Sequence, residues 1–274
     1  FVEHQDSFRV NADSEVRIYD AGVSHDFGAA KVTLQATRYE QDQAGNRLRG
    51  VPVDDRGEFR TDISWNHNEA RDFLNLESDN LQAIVEGAFG SVTWDAKLRW
   101  TSSAQEQEYH EPIQLVDVEA LLGAPTDGTP DLVARQFRDQ LREEEQITFG
   151  TNAIWSADFG AVQNRLLMGY EHFEGSLDFL SGGLSPTPAM LQRFLAGASL
   201  PSDIVPLSLT EPVYGVTQPE NYAVAFSPLR ETEQTRQGAY LLEEATLGRL
   251  TLVGGVRFET WVRLTAEVAA DLFQ

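Results

Sequence analysis

This chain of 274 residues contains no cysteine and no long apolar run. Without cysteine the protein has neither a disulfide nor a thiolate metal site. A transmembrane helix needs about 18 or more consecutive apolar residues, so none is expected. Membrane-spanning strands are still allowed, because such a strand exposes apolar groups only at every second position.

Basic residues are scarce. The chain has 21 Lys and Arg residues against 43 Asp and Glu residues, which gives a net charge of −22. Binding to nucleic acid requires a basic surface, so no nucleic-acid partner is expected. Acidity alone is equally typical of a soluble acidic protein and does not decide the class.

Catalytic motifs are also missing. The sequence contains no Gly-x-Ser-x-Gly, no glycine-rich phosphate loop and no His-Glu-x-x-His, so we predict no enzyme activity and no cofactor. His110-Glu111 and His172-Phe173-Glu174 are weak candidates for metal ligands. We favour polar groups at strand ends and in loops, and we predict no metal site.

The strongest positive signal is alternation of apolar and polar residues over about nine stretches. The clearest stretch runs from residue 250 to residue 264. Its even positions are mostly apolar, and its odd positions include Arg257, Glu259 and Arg263. A strand needs about 9–11 residues to cross a bilayer at a tilt, and this alternation is typical of such a strand. We interpret the even face as facing lipid and the odd face as facing water.

The remaining stretches are shorter or weaker. They lie at residues 16–24, 31–40, 59–65, 81–89, 92–100, 147–157, 165–171 and 235–245. Trp94 and Trp155 lie near predicted turns, and Trp100 lies further along its strand, as expected of aromatic girdles at the two membrane interfaces. The alternative is a soluble β-sandwich whose core takes the same residues.

The connections between these stretches alternate in length. Tight turns with glycine are predicted at Phe27-Gly28, Gly90-Ser91, Phe159-Gly160 and Leu247-Gly248. Long segments are predicted at about 43–77, 108–145 and 178–231. Outer-membrane barrels have short periplasmic turns and long extracellular loops. The sequence therefore predicts an all-β fold, an antiparallel up-and-down transmembrane β-barrel with long extracellular loops.

The long segments have predicted structure of their own. Residues 58–66 break the alternation of short and long connections, so we place them in an extracellular hairpin and not in a membrane strand. Thr187-Pro188 predicts the start of a short helix. The segment 178–231 holds seven of the 11 prolines, which predicts an ordered cap.

A second helix is predicted over residues 130–143. Thr129-Pro130-Asp131 has the N-cap, proline and acidic residue of a helix start. Val133, Phe137 and Leu141 then recur every four residues, which is typical of an amphipathic helix.

Several of these stretches resemble the barrel strands of TonB-dependent outer-membrane receptors. The sequence from Gln237 to Glu244, followed by a turn and then Arg249 to Glu259, resembles a "G-x-Y-x-Q-D" strand and an "L-x-L-x-x-G-x-R-Y-D/E" strand. Asn164 to Tyr170 is similar to an "H-x-L-L-x-G-x-D-Y" strand. Gly50-Val51-Pro52 lies where siderophore receptors often have Gly-Leu-Pro. The resemblance covers residues from about 40 to about 260.

The sequence also departs from the family pattern. Phe258-Glu259 replaces the commoner Tyr-Asp, and Asn164 replaces His. These departures favour the oligosaccharide-receptor branch of Xanthomonas- and Caulobacter-type bacteria over the siderophore-receptor branch. The resemblance therefore leaves two ligand classes open, a ferric siderophore and an oligosaccharide.

The resemblance implies a bacterial outer-membrane location and energised import of a scarce ligand. The implied partners are the TonB complex, acting through a plug domain and a TonB box, and the surrounding lipid and lipopolysaccharide. Such a barrel has 22 strands, of which this chain would supply about eight or nine. We interpret residues 1–274 as part of a single barrel domain, an internal fragment or a piece cut at both ends, without the plug and the barrel C-terminus.

Two other classes stay open: a passive porin-like or adhesin barrel, and a soluble extracellular β-protein that binds glycans. Candidate ligand-binding residues are aromatic or polar and lie in or beside the two longest predicted loops, because rings supply contact area at low entropic cost. They are Tyr109, His110, Phe179, Tyr214 and Tyr222. The alternative is that these rings only pack the loops against one another.

Overall fold

The computed structural model describes residues 1–45, 50–54 and 56–268, and its strands form one antiparallel sheet. The strands are β1 (Val2–Gln5), β2 (Ser14–Asp26), β3 (Ala30–Ala44), β4 (Phe73–Phe89), β5 (Val92–Val116), β6 (Leu132–Phe159), β7 (Val162–Leu184), β8 (Leu207–Ser208), β9 (Ala225–Phe226), β10 (Leu229–Leu247) and β11 (Leu250–Val268). Eight of them are long, and each long strand pairs with the next long strand along the chain. The predicted up-and-down fold is confirmed.

Tight turns join the long strands at one end of the sheet. Gly28, Gly90, Gly160 and Gly248 have φ values of 87°, 60°, 67° and 60°. Glycine adopts such positive values without steric cost, which explains its place in these turns. The connections at the other end are long, 45–72, 117–131 and 185–228, and residues 46–49 and 55 of the first lie outside the described residues. The predicted alternation of short and long connections is confirmed.

The predicted loop boundaries were wrong, because the strands continue far beyond the length that a membrane needs. β5 runs to Val116 and β6 begins at Leu132, so the predicted 108–145 loop shrinks to 117–131. Outside the bilayer, neither face of a strand has to be apolar. Backbone pairing therefore continues where the alternation has ended, and the pattern cannot show it.

The predicted helix over residues 130–143 was also wrong. Most of this segment belongs to β6. Val133, Phe137 and Leu141 recur every four positions, an even spacing, so they share a face of a strand as well as a face of a helix. The spacing alone could not distinguish the two.

The other loop predictions are consistent with the structure. Helix α1 (Val118–Leu121) lies in the second long connection, and α2 (Pro188–Leu195) in the third. Thr187 caps α2 as predicted, because its Oγ1 accepts a hydrogen bond from the Met190 N–H at 3.3 Å. Residues 58–66 form no long strand. Among the described residues, no helix is long and apolar enough to cross a membrane.

The strand register places the predicted apolar faces on one continuous surface. Leu98 lies directly opposite Ala83 and Phe149, and Ala83 lies opposite Leu34. In the same way Leu241 lies opposite Met168 and Val256. We call this surface the outer face and the opposite, polar surface the luminal face.

The buried residues lie almost entirely at the end with the long connections. One cluster contains Trp65, Val133, Leu207 and Leu209, and a second contains Phe137, Ile204 and Tyr222. The first cluster joins loop residues to β5 and β6, through Leu115 and Val133, and the second joins loop residues to β6 and β7, through Phe137 and Leu184. The long connections are therefore packed into a folded cap.

Candidate ligand-binding surface

The register divides the charged side chains of the strands between the two faces. Ten basic residues of the described strands lie on the luminal face, in cross-strand register with one another: Lys31, Lys97, Arg99, Arg138, Arg142, Arg165, Arg230, Arg236, Arg257 and Arg263. Luminal carboxylates such as Asp95, Glu171 and Glu259 accompany them. The luminal face is therefore mixed in charge, as expected of a wall that faces water.

The outer face is far more acidic where it rises above the apolar band. Its carboxylates there are Glu15, Glu40, Asp42, Glu77, Asp79, Glu106, Glu108, Asp139, Glu143, Glu145, Glu174, Asp178, Glu231 and Glu233. Among the described strands, the basic residues of this face are Arg17, Arg38 and the buried Arg135. Much of the net negative charge of the chain thus points away from the lumen.

The upper luminal face offers the best candidate for ligand contact. We define the luminal vestibule as Gln107, Tyr109, Glu111, Arg138, Gln140, Arg142, Phe179, Ser181 and Arg230, which share this face at the end with the long connections. Amide groups link three strands, because Gln107 donates to Gln140 Oε1 and Gln140 Nε2 donates to Ser181 Oγ at 3.1 Å.

Guanidinium groups and an aromatic ring complete the vestibule. The Arg230 guanidinium lies 6.0 Å from the centre of the Phe179 ring. Arg138 lies 3.5 Å from Glu111, and Arg142 pairs with Glu144. The side chains of Arg138 and Arg142 are 37% and 48% exposed. Partly exposed arginines beside a ring suit an anionic or aromatic ligand, because guanidinium binds carboxylates in a fork and stacks on rings.

The structure separates the five residues that the sequence nominated. Tyr109 and Phe179 belong to the luminal vestibule, although Tyr109 is only 4% exposed. His110 and Tyr222 lie on the outer-face side and are buried. Tyr214 is half-buried beside the first cluster. Ligand contact by these five residues therefore stays a prediction. Their positions divide them into a luminal group, Tyr109 and Phe179, and a packing group, His110, Tyr214 and Tyr222.

The packing group belongs to a buried polar network, which we call the outer loop core. His110 Nδ1 lies 2.8 Å from Asp72 Oδ1, and the His110 N–H donates to Asp72 Oδ2 at 2.8 Å. The other ring nitrogen of His110 lies 3.2 Å from the Tyr222 hydroxyl. His110 thereby connects β5 to the first and third long connections.

Arg135 occupies the centre of the outer loop core and is fully buried. It forms an ion pair of 2.7 Å with Glu69, and it donates to the carbonyl oxygens of Val205 at 2.7 Å and His67 at 2.9 Å. Glu69 also accepts from the Gly215 N–H at 2.7 Å. One side chain on β6 therefore holds both the 45–72 and the 185–228 connections in place.

Sequence reasoning missed this network. Residues 65–69, Trp-Asn-His-Asn-Glu, are buried together although four of the five are polar. The sequence signal for burial was a dense run of hydrogen-bonding side chains in a predicted loop. The same pattern is typical of a loop that is exposed to solvent. Only the contacts with distant segments distinguish the two.

Burial and ion pairing shift several pKa values in the cap. Burial raises the pKa of the Tyr222 hydroxyl well above its usual range, and burial also raises the pKa of Tyr214. Both hydroxyls therefore stay protonated at neutral pH. The hydrogen-bonded Arg193 guanidinium lowers the pKa of Asp203, so this buried carboxylate stays ionised and fixes the end of α2.

Metal ligation receives no support from the described part of the chain, which contains no group of three His, Asp or Glu residues arranged to hold a metal ion. His110 and Glu111 point to opposite faces of β5. His172 Nε2 lies 3.2 Å from Glu174 on the outer face. The second pair is therefore a polar contact between two residues of one strand.

The motifs behind the family resemblance pack against each other on the lower luminal face. The Tyr240 ring covers Gly169, where an added Cβ would lie 2.2 Å from Tyr240 Cζ. The Tyr240 hydroxyl donates to Asn152, whose amide donates to Asp95 at 3.1 Å. Glycine is needed at position 169 because the tyrosine of the neighbouring strand occupies the space of a side chain.

The apolar outer face, the polar lumen and the alternation of turns and long loops together define a segment of an outer-membrane type of β-barrel. Comparison with solved structures gives the same fold. The chain superposes on the siderophore receptor PiuA from Acinetobacter baumannii with a TM-score of 0.71 and 14% identity, over 95% of this chain and 37% of that one.

Two further structures agree. The ferric-catecholate import receptor Fiu from E. coli K12 gives a TM-score of 0.71 at 13% identity, over 96% of this chain and 40% of Fiu. The ferripyoverdine receptor of the outer membrane of Pseudomonas aeruginosa gives 0.67 at 13% identity, over 98% of this chain and 34% of that one. At these identities the likeness shows the fold, which confirms the resemblance to TonB-dependent receptors at that level.

The chain spans only about two fifths or less of the length of these receptors. No protein-family model matches the sequence. No curated protein matches it either.

Proposed function

We propose that this chain forms part of the wall and the extracellular cap of a TonB-dependent receptor in a bacterial outer membrane, and that the receptor imports a ferric siderophore. The observation that carries the proposal is the luminal vestibule, with its partly exposed arginines, a ring and linked amides at the extracellular end of a siderophore-receptor fold. The whole receptor would bind its ligand without making or breaking a covalent bond.

The vestibule chemistry favours an anionic, ring-containing ligand. Arg138, Arg142 and Arg230 offer several N–H donors, and Phe179 offers a face for stacking. Ferric siderophores that bind iron through catecholate or carboxylate groups have this chemistry. The three similar structures described above are named for siderophores or iron, which supports this ligand class over an oligosaccharide.

The five residues nominated from the sequence contribute in two ways under this proposal. Tyr109 and Phe179 belong to the luminal wall, where the Phe179 ring would contact the ligand. His110, Tyr214 and Tyr222 hold the third long connection over the strand ends. Replacing all five with alanine should therefore weaken ligand binding, partly through lost contacts and partly through a loosened cap.

The direct test is a triple variant of the full-length receptor, Arg138→Ala, Arg142→Ala and Arg230→Ala, expressed in the outer membrane and assayed for uptake of radioactive iron bound to a panel of siderophores. We expect uptake of at least one siderophore by the unchanged protein and at least a tenfold loss in the variant. The matched control is Glu143→Gln with Glu145→Gln, on the outer face of β6, which should retain uptake.

Two controls define the outcome. Assembly is checked by the shift in gel mobility on heating, so that a misfolded variant is recognised. Deletion of TonB should abolish uptake, whereas a passive porin would continue to conduct the ligand. Equal uptake by the luminal and outer-face variants, in well-assembled protein, would contradict the proposal.

A further inference from the structure

A hollow of about 620 Å³ indents the outer face of strands β2 to β5 within the apolar band. Its side chains are all small or apolar on this face: Ala21, Val23, Leu34, Ala36, Leu81, Ala83, Leu98 and Trp100. The depression forms because Ala21 and Ala36 lie directly opposite each other, beside the larger Leu81 and Trp100. Volumes of about 300–1,000 Å³ are typical of sites for small ligands.

The upper edge of the hollow carries the accessible basic side chains of the outer face. Arg38 lies two residues beyond Ala36 on β3, directly opposite Tyr19 and Asp79. Arg17 lies one step higher on β2. Apart from the buried Arg135, the described strands have no other basic residue on this face. The end of β3 at which Arg38 lies is the end with the long connections, so this is the extracellular leaflet.

Carboxylates surround the two guanidinium groups. Arg38 contacts Glu77 at 2.6 Å, Glu40 at 2.7 Å and Asp79 at 2.8 Å. Arg17 contacts Glu15 at 2.6 Å, Asp42 at 3.5 Å and Glu40 at 3.7 Å. The Arg38 side chain stays 38% exposed, and those of Glu77 and Asp42 are 59% and 54% exposed.

This arrangement discriminates between lipid head groups. A purely anionic head group would meet arginines, but also a surplus of carboxylates that repels it. A head group with a phosphate and a primary amine can satisfy both sets, because guanidinium binds phosphate in a fork and carboxylates accept from ammonium. The alternating charges therefore complement an amine-bearing phosphate.

We propose that the hollow and the Arg17–Arg38 cluster form a site for one lipid A molecule that carries phosphoethanolamine. One acyl chain fills the hollow, the phosphate accepts hydrogen bonds from Arg38, and the ammonium group donates to Glu77 or Asp42. The site rests on the apolar band facing lipid, and it is independent of which ligand the receptor imports. The alternative is that the charged cluster only links strands β2, β3 and β4.

Native mass spectrometry of the delipidated protein in detergent tests the site. The probes are lipid A with and without phosphoethanolamine, matched in acyl chains, in the presence of EDTA so that divalent cations cannot bridge the charges. We expect one equivalent of the modified lipid to be retained at least fivefold better than the unmodified lipid. Equal retention of the two probes would overturn the head-group assignment.

Two variants separate a lipid site from a structural cluster. Arg38→Gln should remove the preference for the modified lipid. Ala36→Trp fills the hollow, leaves the charged cluster intact and should reduce retention at least fivefold. The matched control is Ala239→Trp, an exposed alanine of the outer face of β10 that does not line the hollow.

Equal retention by the Ala36→Trp and Ala239→Trp variants would overturn the site even if Arg38→Gln failed to assemble. Iron uptake is a separate readout. In the unchanged protein, equal retention of the two lipid probes together with normal uptake would count against the lipid site alone, whereas a clear lipid preference without siderophore uptake would count against the proposed transport function alone.

Discussion

Two carboxylates near the long connections lie directly opposite each other in neighbouring strands. Glu108 of β5 lies directly opposite Asp139 of β6 on the outer face. Burial, together with neighbouring carboxylates, raises the pKa of both groups. The folded protein therefore binds their protons more tightly than the unfolded chain does, and this pair destabilises the fold as the pH rises through the raised pKa values.

Asp139→Asn should stabilise the upper part of β5 and β6 at pH 7, because like charges directly opposite in a sheet are destabilising, and the expected gain is about 0.2–1 kcal/mol, the size typical of a cross-strand pair. The gain should vanish below about pH 3, where both carboxyl groups are largely neutral in the folded and the unfolded protein. Hydrogen exchange of the strand amides at both pH values measures the effect. Glu233→Gln is the control, because Glu233 lies opposite Ser176 and Leu264. A gain that is equal at both pH values would contradict the repulsion.

Arg135 should be the most sensitive single residue of the cap. Arg135→Met leaves Glu69 buried without its ion-pair partner, which costs about 3–5 kcal/mol. We expect the 185–228 connection to become protease-sensitive while the barrel still assembles. Adding Glu69→Met should restore much of the protection, because a buried pair can be replaced by apolar residues.

The control for this prediction is Arg138→Met, on the same strand but on the luminal face and 37% exposed. It should leave the connection protected. Equal protease sensitivity of the two single variants would show that Arg135 is not the residue that holds the cap.

At the scale of elements, the long strands have two parts. The part next to the tight turns has an apolar outer face and is here called the membrane part, whereas the part next to the long connections is polar on both faces. The membrane part of β5 alternates Val92, Trp94 and Leu98 with polar residues. Its second part contains a β-bulge between Pro112 and Gln114, beyond which β5 stays paired with β6 as far as Val116. The sequence pattern revealed the first part because lipid imposes a contrast between the faces. The second part has polar surroundings on both faces, so its sequence shows no such contrast.

The face assignment leads to a charge-placement prediction. Leu252→Arg or Leu98→Arg should impair membrane assembly by about 2–4 kcal/mol, the cost of arginine at the bilayer midplane on the lipid face. Thr251→Arg and Thr93→Arg, one residue away on the luminal face, should assemble nearly normally. Urea-dependent folding into vesicles measures the difference, and identical behaviour of the two pairs would refute the assigned faces.

At the scale of the whole molecule, the sheet places its turns at one end, its cap at the other, and its surplus acidic groups on the outer face above the membrane. Such a wall presents a mixed, hydrogen-bonding surface to the lumen and an apolar band to lipid. The cap is rigid because buried side chains, chiefly His110 and Arg135, connect segments that are far apart in sequence.

This topology predicts which positions are exposed to the outside of the cell. Cysteines replacing Leu122 and Val213, which are 67% and 63% exposed, should react with an impermeant thiol reagent on intact cells. Cysteines at Gly90 and Gly248 should react only after the outer membrane is permeabilised. A cysteine at the buried Val133 serves as the control for accessibility within the cap. Strong labelling of a cysteine at position 248 on intact cells would show that the tight turns, and not the long connections, face the outside of the cell.

The sequence by itself determined the fold class, the four tight turns, the apolar face of each membrane strand and the N-terminus of α2. These features are local, since lipid, water and backbone conformation act on each residue and its near neighbours. Gly28 and Gly248 could be placed in turns for this reason, and so could the alternation from Leu250 to Leu264.

Only the tertiary structure decided the rest. The extent of β5 and β6, the strand conformation of residues 132–143 and the burial of the 65–72 segment depend on partners that lie far along the chain. Trp65, for example, donates to the carbonyl oxygen of Ser208 at 3.0 Å. Strand register decides that Tyr109 and His110 lie on opposite faces. It also decides that Arg17 and Arg38 lie on the outer face and the other strand arginines, apart from Arg135, on the luminal face. A register is a property of paired strands, so no single strand's sequence can show which side chains meet across it.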